Sequence, residues 1–214
     1  MVTAADARSD ATADAHPGGA ADACLGDLKR IMVVGTSCAG KTTLARRLAR
    51  ILDMPHVELD ALYWGPNWSE CPTDDFRERV REHVGTDRWV IDGNYAKARD
   101  IVLSRATDAV WLNYSFPVVF RRALSRTARR VASGQELFGG NRETFTTAFL
   151  SRDSIPLWVI RTHHRRSRSY RELFSVGEGA RVRLHELRRP GDADALIESV
   201  GRDCVAQRQD ERYC

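Results

Sequence analysis

Residues 33–43 read VVGTSCAGKTT: a short apolar run, a turn of small residues, a lysine and two threonines. Gly35, Gly40, Lys41 and Thr42 fall at the fixed positions of G-x-x-x-x-G-K-[ST], the pattern of a loop that holds phosphates. Glycines let successive backbone N–H groups turn inward around an anion, and the helix that follows adds the positive end of its dipole. Lys41 is a compact point charge for the β- and γ-phosphates, and the Thr42 hydroxyl suits Mg²⁺. The whole of Gly35, Thr36, Ser37, Cys38, Ala39, Gly40, Lys41, Thr42 and Thr43 is therefore a candidate ATP-binding segment, with Cys38 contributing its backbone N–H. The chain carries three lysines against thirty arginines, so a lysine at this position points to a geometric requirement.

Two aspartates could complete the chemistry. Asp92 follows the apolar Trp89-Val90-Ile91 and precedes Gly93, a residue that lets a ligand approach the backbone. It is the candidate magnesium partner of Thr42. Asp60 closes the run HVELD and is the candidate to orient or deprotonate an acceptor. Both are expected at carboxyl ends of strands, where open α/β sheets bind ligands. An aspartate that merely caps a turn is the plain alternative for each.

Arginines form a second constellation. On a helix over FRRALSRTARRV, Phe120, Leu124, Ala128 and Val131 share one side, and Arg122, Arg126, Arg129 and Arg130 the other. Such a stripe invites an anion and could stabilise the charge that develops in phosphoryl transfer. A solvated face is the bland reading for any single arginine. The second cluster, RTHHRRSRSYR at 161–171, either completes a lid or touches nucleic acid. Neither His163 nor His164 has metal-ligand spacing, and both read as surface residues. Tyr63, Trp64 and Trp68 flank a Gly-Pro-Asn turn after Asp60, where they either stack on a flat ligand or pack the core.

Alternating patterns supply the elements that must position these groups. Residues 31–35, HVELD, WVIDG, AVWLNY and RVRLHEL read as strands. Between them lie a helix from Lys41 to Leu52, with Leu44, Leu48 and Leu52 at helical spacing, and TDDFRERVREHV, with Thr73 as its N-cap. A short helix near 96–105 and a closing helix over 191–205 complete the order. Strand–helix alternation implies βαβ units and a parallel sheet.

The composition sets bounds. At 214 residues and 43% hydrophobic, the chain suits one domain with a sizeable core. Residues 1–28, rich in Ala and Asp, carry five aspartates and one arginine and are expected to be a disordered leader. Residues 116–171 hold twelve arginines against three acids, which favours an anionic ligand there. No apolar run approaches membrane-span length. Five scattered cysteines form no C-x-x-C pair, so neither a zinc clip nor a disulfide framework is indicated, and a reducing cytoplasm is expected.

With these segments in place, the chain resembles the adenylate-kinase-like group of P-loop proteins. LDALYWGPNW, WVIDGNY, ELFGGNRE and SIPLWVIRTHHRR, in that order, are similar to a bacterial subgroup often labelled DNA topology modulation proteins. The resemblance spans residues 29–187. It implies an α/β P-loop NTPase fold: a five-stranded parallel sheet in the order 2-3-1-4-5, flanked by helices, with a small arginine-rich helical lid at about 126–152. It also implies ATP and Mg²⁺ at the carboxyl edge, supports Asp92, and matches Arg122 and Arg126 to paired lid arginines. The family's third-strand motif continues Phe-Pro-Arg, where this chain has Asn94-Tyr95-Ala96. No lid cysteines are present, so no structural metal is implied. The expected organisation is a leader (1–28), a kinase-like domain (29–206) and a polar tail (207–214). The leading expectation is a cytoplasmic, monomeric kinase that uses ATP and Mg²⁺ on a small acceptor, with no membrane partner. Its catalytic set is Lys41, Asp60, Asp92, Arg122 and Arg126. The alternative is a nucleotide-dependent regulator that binds DNA or RNA through the arginine block.

Overall fold

The apolar runs become strands and the 3.6-period segments helices in the computed structural model, which describes residues 28–133, 154–177 and 179–210. In chain order these are β1 (Arg30–Gly35), α1 (Lys41–Leu52), β2 (His56–Glu58), α2 (Leu59–Tyr63), α3 (Thr73–Val84), β3 (Trp89–Asp92), α4 (Arg99–Leu103), β4 (Asp108–Leu112), α5 (Phe116–Ser133), α6 (Ile155–Ser175), β5 (Arg183–Leu187) and α7 (Pro190–Asp210). The strands form one sheet in the order β2-β3-β1-β4-β5, every neighbouring pair parallel. This is the 2-3-1-4-5 P-loop topology expected from the sequence.

A parallel sheet covered on both faces needs strands that are apolar on both sides, and β1 obeys. Ile31 and Val33 face a core built with Leu44, Leu48 and Leu52 of α1, Val119 and Ala123 of α5, and Leu196 and Val200 of α7. Met32 and Val34 face a second core with Phe76 and Val80 of α3, Val102 of α4, and Tyr170 and Phe174 of α6. Helix α6 belongs to both, because its Val159 packs in the first core. It therefore passes across the carboxyl edge of the sheet, above the site.

Several expectations need correction. Strand β2 ends at Glu58, and Asp60 lies in the first turn of α2 rather than at a strand end, because β2 pairs with β3 over three residues before the chain coils. Pro72, not Thr73, caps α3: its ψ of 141° keeps it outside the helix while its carbonyl accepts the Phe76 N–H. The buried stripe of α5 is Val119, Ala123 and Thr127, and Leu124 is 39% exposed. Since α6 packs along α5 and Arg122 turns to the loop between β1 and α1, the helix is rotated by about one residue, roughly 100°, from the expected face. His163 is 6% exposed rather than at the surface, and its Nε2–H donates to the Tyr114 carbonyl at 2.9 Å. His164 is exposed as expected. Leu28, assigned to the leader, is buried in the first core, and α7 runs on to Asp210. Residues 1–27, and the 134–152 part of the expected lid, lie outside the described residues.

The amino edge of the sheet carries a buried ion cluster. The Asp108 side chain is 0% exposed, and it receives Arg183 Nε at 2.7 Å, His185 Nε2 at 3.0 Å and the Thr107 hydroxyl at 2.8 Å. Burial alone would raise the Asp108 carboxyl. The bonds from His185 and Thr107 and the Arg183 charge outweigh it, and hold the group below its ordinary value. A depressed carboxyl stabilises the fold above the unfolded-state pKa of about 4, and that contribution is lost as pH falls through the folded value. Asp108→Ala is expected to lower stability by about 2–3 kcal/mol at pH 7, since it strands the partly buried Arg183 guanidinium and takes away the hydrogen-bond partner of His185 Nε2. In urea unfolding, the gap to wild type should narrow steadily as the pH is lowered below about 4.

Candidate functional site

The site starts where β1 ends. Gly35 takes a φ of 147°, and a Cβ there would stand 2.7 Å from the Leu112 carbonyl oxygen, so only glycine lets the chain turn beside β4. The loop then closes on itself through the Ala39 N–H to the Thr36 carbonyl, with Cys38 buried at a left-handed φ of 64°. Mixed-handed turns of this kind are the geometry of anion-binding nests. Helix α1 follows from Gly40 without a side-chain cap, so its first-turn amides are left to a ligand or solvent.

Lys41 Nζ lies over this loop and donates to the Thr36 carbonyl at 3.3 Å. Burial lowers its pKa, an effect opposed by the charges of Asp60 and Asp92 and reinforced by Arg166. Both candidate carboxylates thus act on the charge of this one side chain. Thr42, the next residue, donates its hydroxyl to Asp92 Oδ1 at 2.9 Å. The sequence expectation that pairs Thr42 with Asp92 is a contact in the fold.

The other oxygen, Asp92 Oδ2, is 2.7 Å from His56 Nε2. The sequence reading missed His56. Its signal was available once strand order is fixed: β2 adjoins β3, and residues 56 and 58 project to the same face as 90 and 92. Glu58 shares that face and is tied to Arg46 of α1. Gly93 does not open a path for a ligand as expected, because a Cβ there would meet the Leu59 side chain at 2.6 Å.

Asp60 reaches the site from α2. Its Oδ1 accepts the Tyr95 hydroxyl at 2.8 Å. Burial, the Asp60 charge and this bond together raise the Tyr95 phenol far above its ordinary value, so it stays a proton donor. Tyr95 packs on Tyr63 and Phe76, with ring centroids 4.7 and 5.2 Å away. Tyr63 therefore belongs to the core, held further by Lys97 at 2.7 Å and by Glu70. Trp64 stands edge-on between Tyr63 and Trp68, and Trp68 is exposed.

Asn94 was noticed only as a departure from a family pattern, yet it is a junction. Its Nδ2 donates to the Gly35 carbonyl at 2.6 Å, and its Oδ1 accepts the Tyr170 hydroxyl at 2.5 Å. It thereby ties the first loop glycine to α6.

The arginine block divides. Arg122 lies against the loop, where Nη1 donates to the Ala39 carbonyl at 2.6 Å and the guanidinium sits 5.1 Å from the Tyr114 ring. Arg126, one turn along α5, is exposed. From the second cluster Arg166 turns inward, over the Trp158 ring at 5.7 Å, while Arg161, Arg165, Arg168 and Arg171 are exposed. Among the described residues no group of three or more His, Cys, Asp or Glu is arranged to hold a metal, and no helix is long and apolar enough to cross a membrane.

No protein-family model matches the chain, and no curated protein aligned with it. Solved structures similar to it include a shikimate kinase from Bacteroides thetaiotaomicron, with 15% identity, 82% of this chain and 97% of that one covered, and a TM-score of 0.49. A gluconokinase from Sinorhizobium meliloti 1021 shares 15% identity over 86% of this chain and 96% of its own, with a TM-score of 0.45. A shikimate kinase from Acinetobacter baumannii shares 16% over 81% and 92%, with a TM-score of 0.48.

Proposed function

We propose that the chain is a P-loop phosphotransferase that moves the terminal phosphoryl group of magnesium-complexed ATP onto a hydroxyl of a small acceptor. The observation that carries this reading is the Thr42–Asp92 contact of 2.9 Å at the start of α1, one residue from Lys41. A hydroxyl and a carboxylate beside a phosphate-binding loop are hard oxygen donors, and they fit Mg²⁺, which asks for few protein ligands. Thr42 and Asp92 are the residues that would hold the ion; its chemistry there is to neutralise charge on the β- and γ-phosphates.

In this reading residues 35–43 grip the triphosphate through backbone amides and the Lys41 ammonium. The acceptor hydroxyl lies beside Asp60. Its oxygen bonds to the terminal phosphorus, the bond to the departing ADP oxygen breaks, and its proton passes to Asp60. Tyr95 fixes Asp60 Oδ1 and so leaves Oδ2 to take that proton. Arg122 acts on the loop: its bond to the Ala39 carbonyl holds the backbone in shape. His56 acts on Asp92, holding one oxygen so that the other meets Thr42.

Two experiments test this. Purified protein is expected to bind magnesium-complexed ATP in calorimetry, and Lys41→Ala to abolish that binding. Asp60→Asn should keep the affinity within about twofold while acceptor-stimulated ADP release falls on the order of 100-fold or more. Absence of ATP binding by wild type would sink the reading. Separately, His56→Ala should raise the magnesium concentration at half-maximal rate about 10-fold, with partial rescue by His56→Gln, which keeps a side-chain donor. An unchanged magnesium requirement would remove His56 from this role.

A further inference from the structure

Helices α5 and α6 pack side by side and together carry ten arginines and a single acid, Glu172. Arg122 and Arg166 turn inward, while a row on α6 faces out. Arg161, Arg165 and Arg168 recur at i, i+4 and i+7, on the side opposite the buried Val159, His163, Tyr170 and Phe174. Exposed helix arginines elsewhere in the fold have acids: Arg46 meets Glu58, Arg47 meets Asp194, and Arg81 meets Glu78. Among the described residues, Arg165 and Arg168 make no hydrogen bond or ion pair, and Glu172, one turn beyond Arg168, bonds neither. Like charges four residues apart destabilise a helix, so this row gains from an acidic cover.

The chain carries an acidic stretch of matching pattern. Residues 1–27 hold five aspartates and one arginine. Asp6, Asp10 and Asp14 recur every four residues in AADARSDATADA, residues 4–15, where six of the twelve residues are alanine, the strongest helix former. On a helix, steps of four set side chains about 6 Å apart along one face, the step that also separates Arg161 from Arg165 on α6. Arg8 would fall on the other side of such a helix, so its acidic face carries no base. The stretch is also within reach. Leu28, two residues before β1, is buried in the first core. Strand β1 pairs with β4, whose Trp111 lies against Tyr170 and Phe174 of α6, with ring centroids 6.1 and 6.3 Å away. A coil as long as residues 16–27 spans about 20 Å on average and about 40 Å at full stretch. Helix α6, with 21 residues, is about 31 Å long.

We propose that residues 4–15 dock as a helix along the outer face of α6, pairing Asp6, Asp10 and Asp14 with Arg161, Arg165 and Arg168. Exposed ion pairs are individually weak. The tether holds the two rows at an effective concentration in the millimolar range, and three pairs act together. The contact needs no nucleotide and uses no residue of the phosphate-binding loop, so it stands whether or not the chain is a phosphotransferase. Its effect is to deny this basic face to other polyanions, nucleic acid among them.

Hydrogen–deuterium exchange of the full chain, read by mass spectrometry over residues 4–15, tests this. In about 20 mM salt these amides are expected to exchange at least about fivefold more slowly than in a free peptide of the same sequence. In 1 M salt, where the screening length falls to about 3 Å, they should reach the free-peptide rate. Arg165→Glu with Arg168→Glu should abolish the protection, as should Asp10→Lys with Asp14→Lys. The four changes together should restore it, a result that a misfolded variant cannot give. A fluorescein-labelled DNA duplex, followed by anisotropy, serves as the competing polyanion. Asp6→Asn, Asp10→Asn and Asp14→Asn together should tighten its binding about tenfold. Exchange at the free-peptide rate in wild type at low salt, protection that survives the α6 reversals, or duplex binding as tight to wild type as to the neutralised variant would each overturn the contact.

Discussion

The bond between Thr42 and Asp92 joins the two elements on which the site depends. Asp92 ends an inner strand of the sheet, and Thr42 opens the helix that follows the β1–α1 loop. Their contact fixes the start of α1 against β3, so the loop between β1 and α1 cannot relax outward. Gly35, pressed against the Leu112 carbonyl, fixes the other end of the same loop. A backbone pinned at both ends, with a helix start left uncapped, is preorganised for an anion before any anion arrives. Neutral side chains could have satisfied that helix start, yet the chain places a lysine there and balances it with two carboxylates. Those carboxylates oppose the lowering of the Lys41 pKa by burial without cancelling it.

Much of the fold was legible because the strands of a doubly covered parallel sheet must be apolar throughout. Ile31–Gly35, WVID and AVWL admitted no other reading, and the loop glycines, Lys41 and Thr42 followed from spacing. What failed did so for a consistent reason. Helical phase on α5 was read from the densest arginine stripe, but the helix is oriented by what its neighbours need: Ala123 toward the core, and Arg122 toward Ala39. Thr73 has the composition of a cap, yet Pro72 already supplies the extended residue before the helix. Asp60 was expected at a strand end and reaches the site by a turn of helix instead, since an edge strand pairs on one side and can stop early.

The residues whose roles were missed, His56, Asn94, Tyr95 and Tyr170, bond other side chains across long stretches of sequence. Tyr170 and Asn94 are seventy-six positions apart, and His56 and Asp92 thirty-six. No local pattern marks such a partnership. For His56 the strand order and a period of two would have sufficed, because both residues face α1. For Asn94 and Tyr170 the path of α6 across the sheet edge was needed, and that path depends on which aromatic residues of α6 find which core.

Helix α6 is accordingly more than a cover. Val159 holds its first half to the core beneath α1, and Tyr170 and Phe174 hold its second half to the core beneath α4. Between these anchors the helix bridges the carboxyl edge, and Arg166 on it is half-buried, with its charge felt by both Lys41 and Asp60. A helix fixed at two points holds its backbone at a set place over that edge. The course of α6 between the two cores is therefore set by apolar packing rather than by its polar side chains. Apolar contacts in the two cores of the sheet thus fix which side chains of α6 stand at its carboxyl edge.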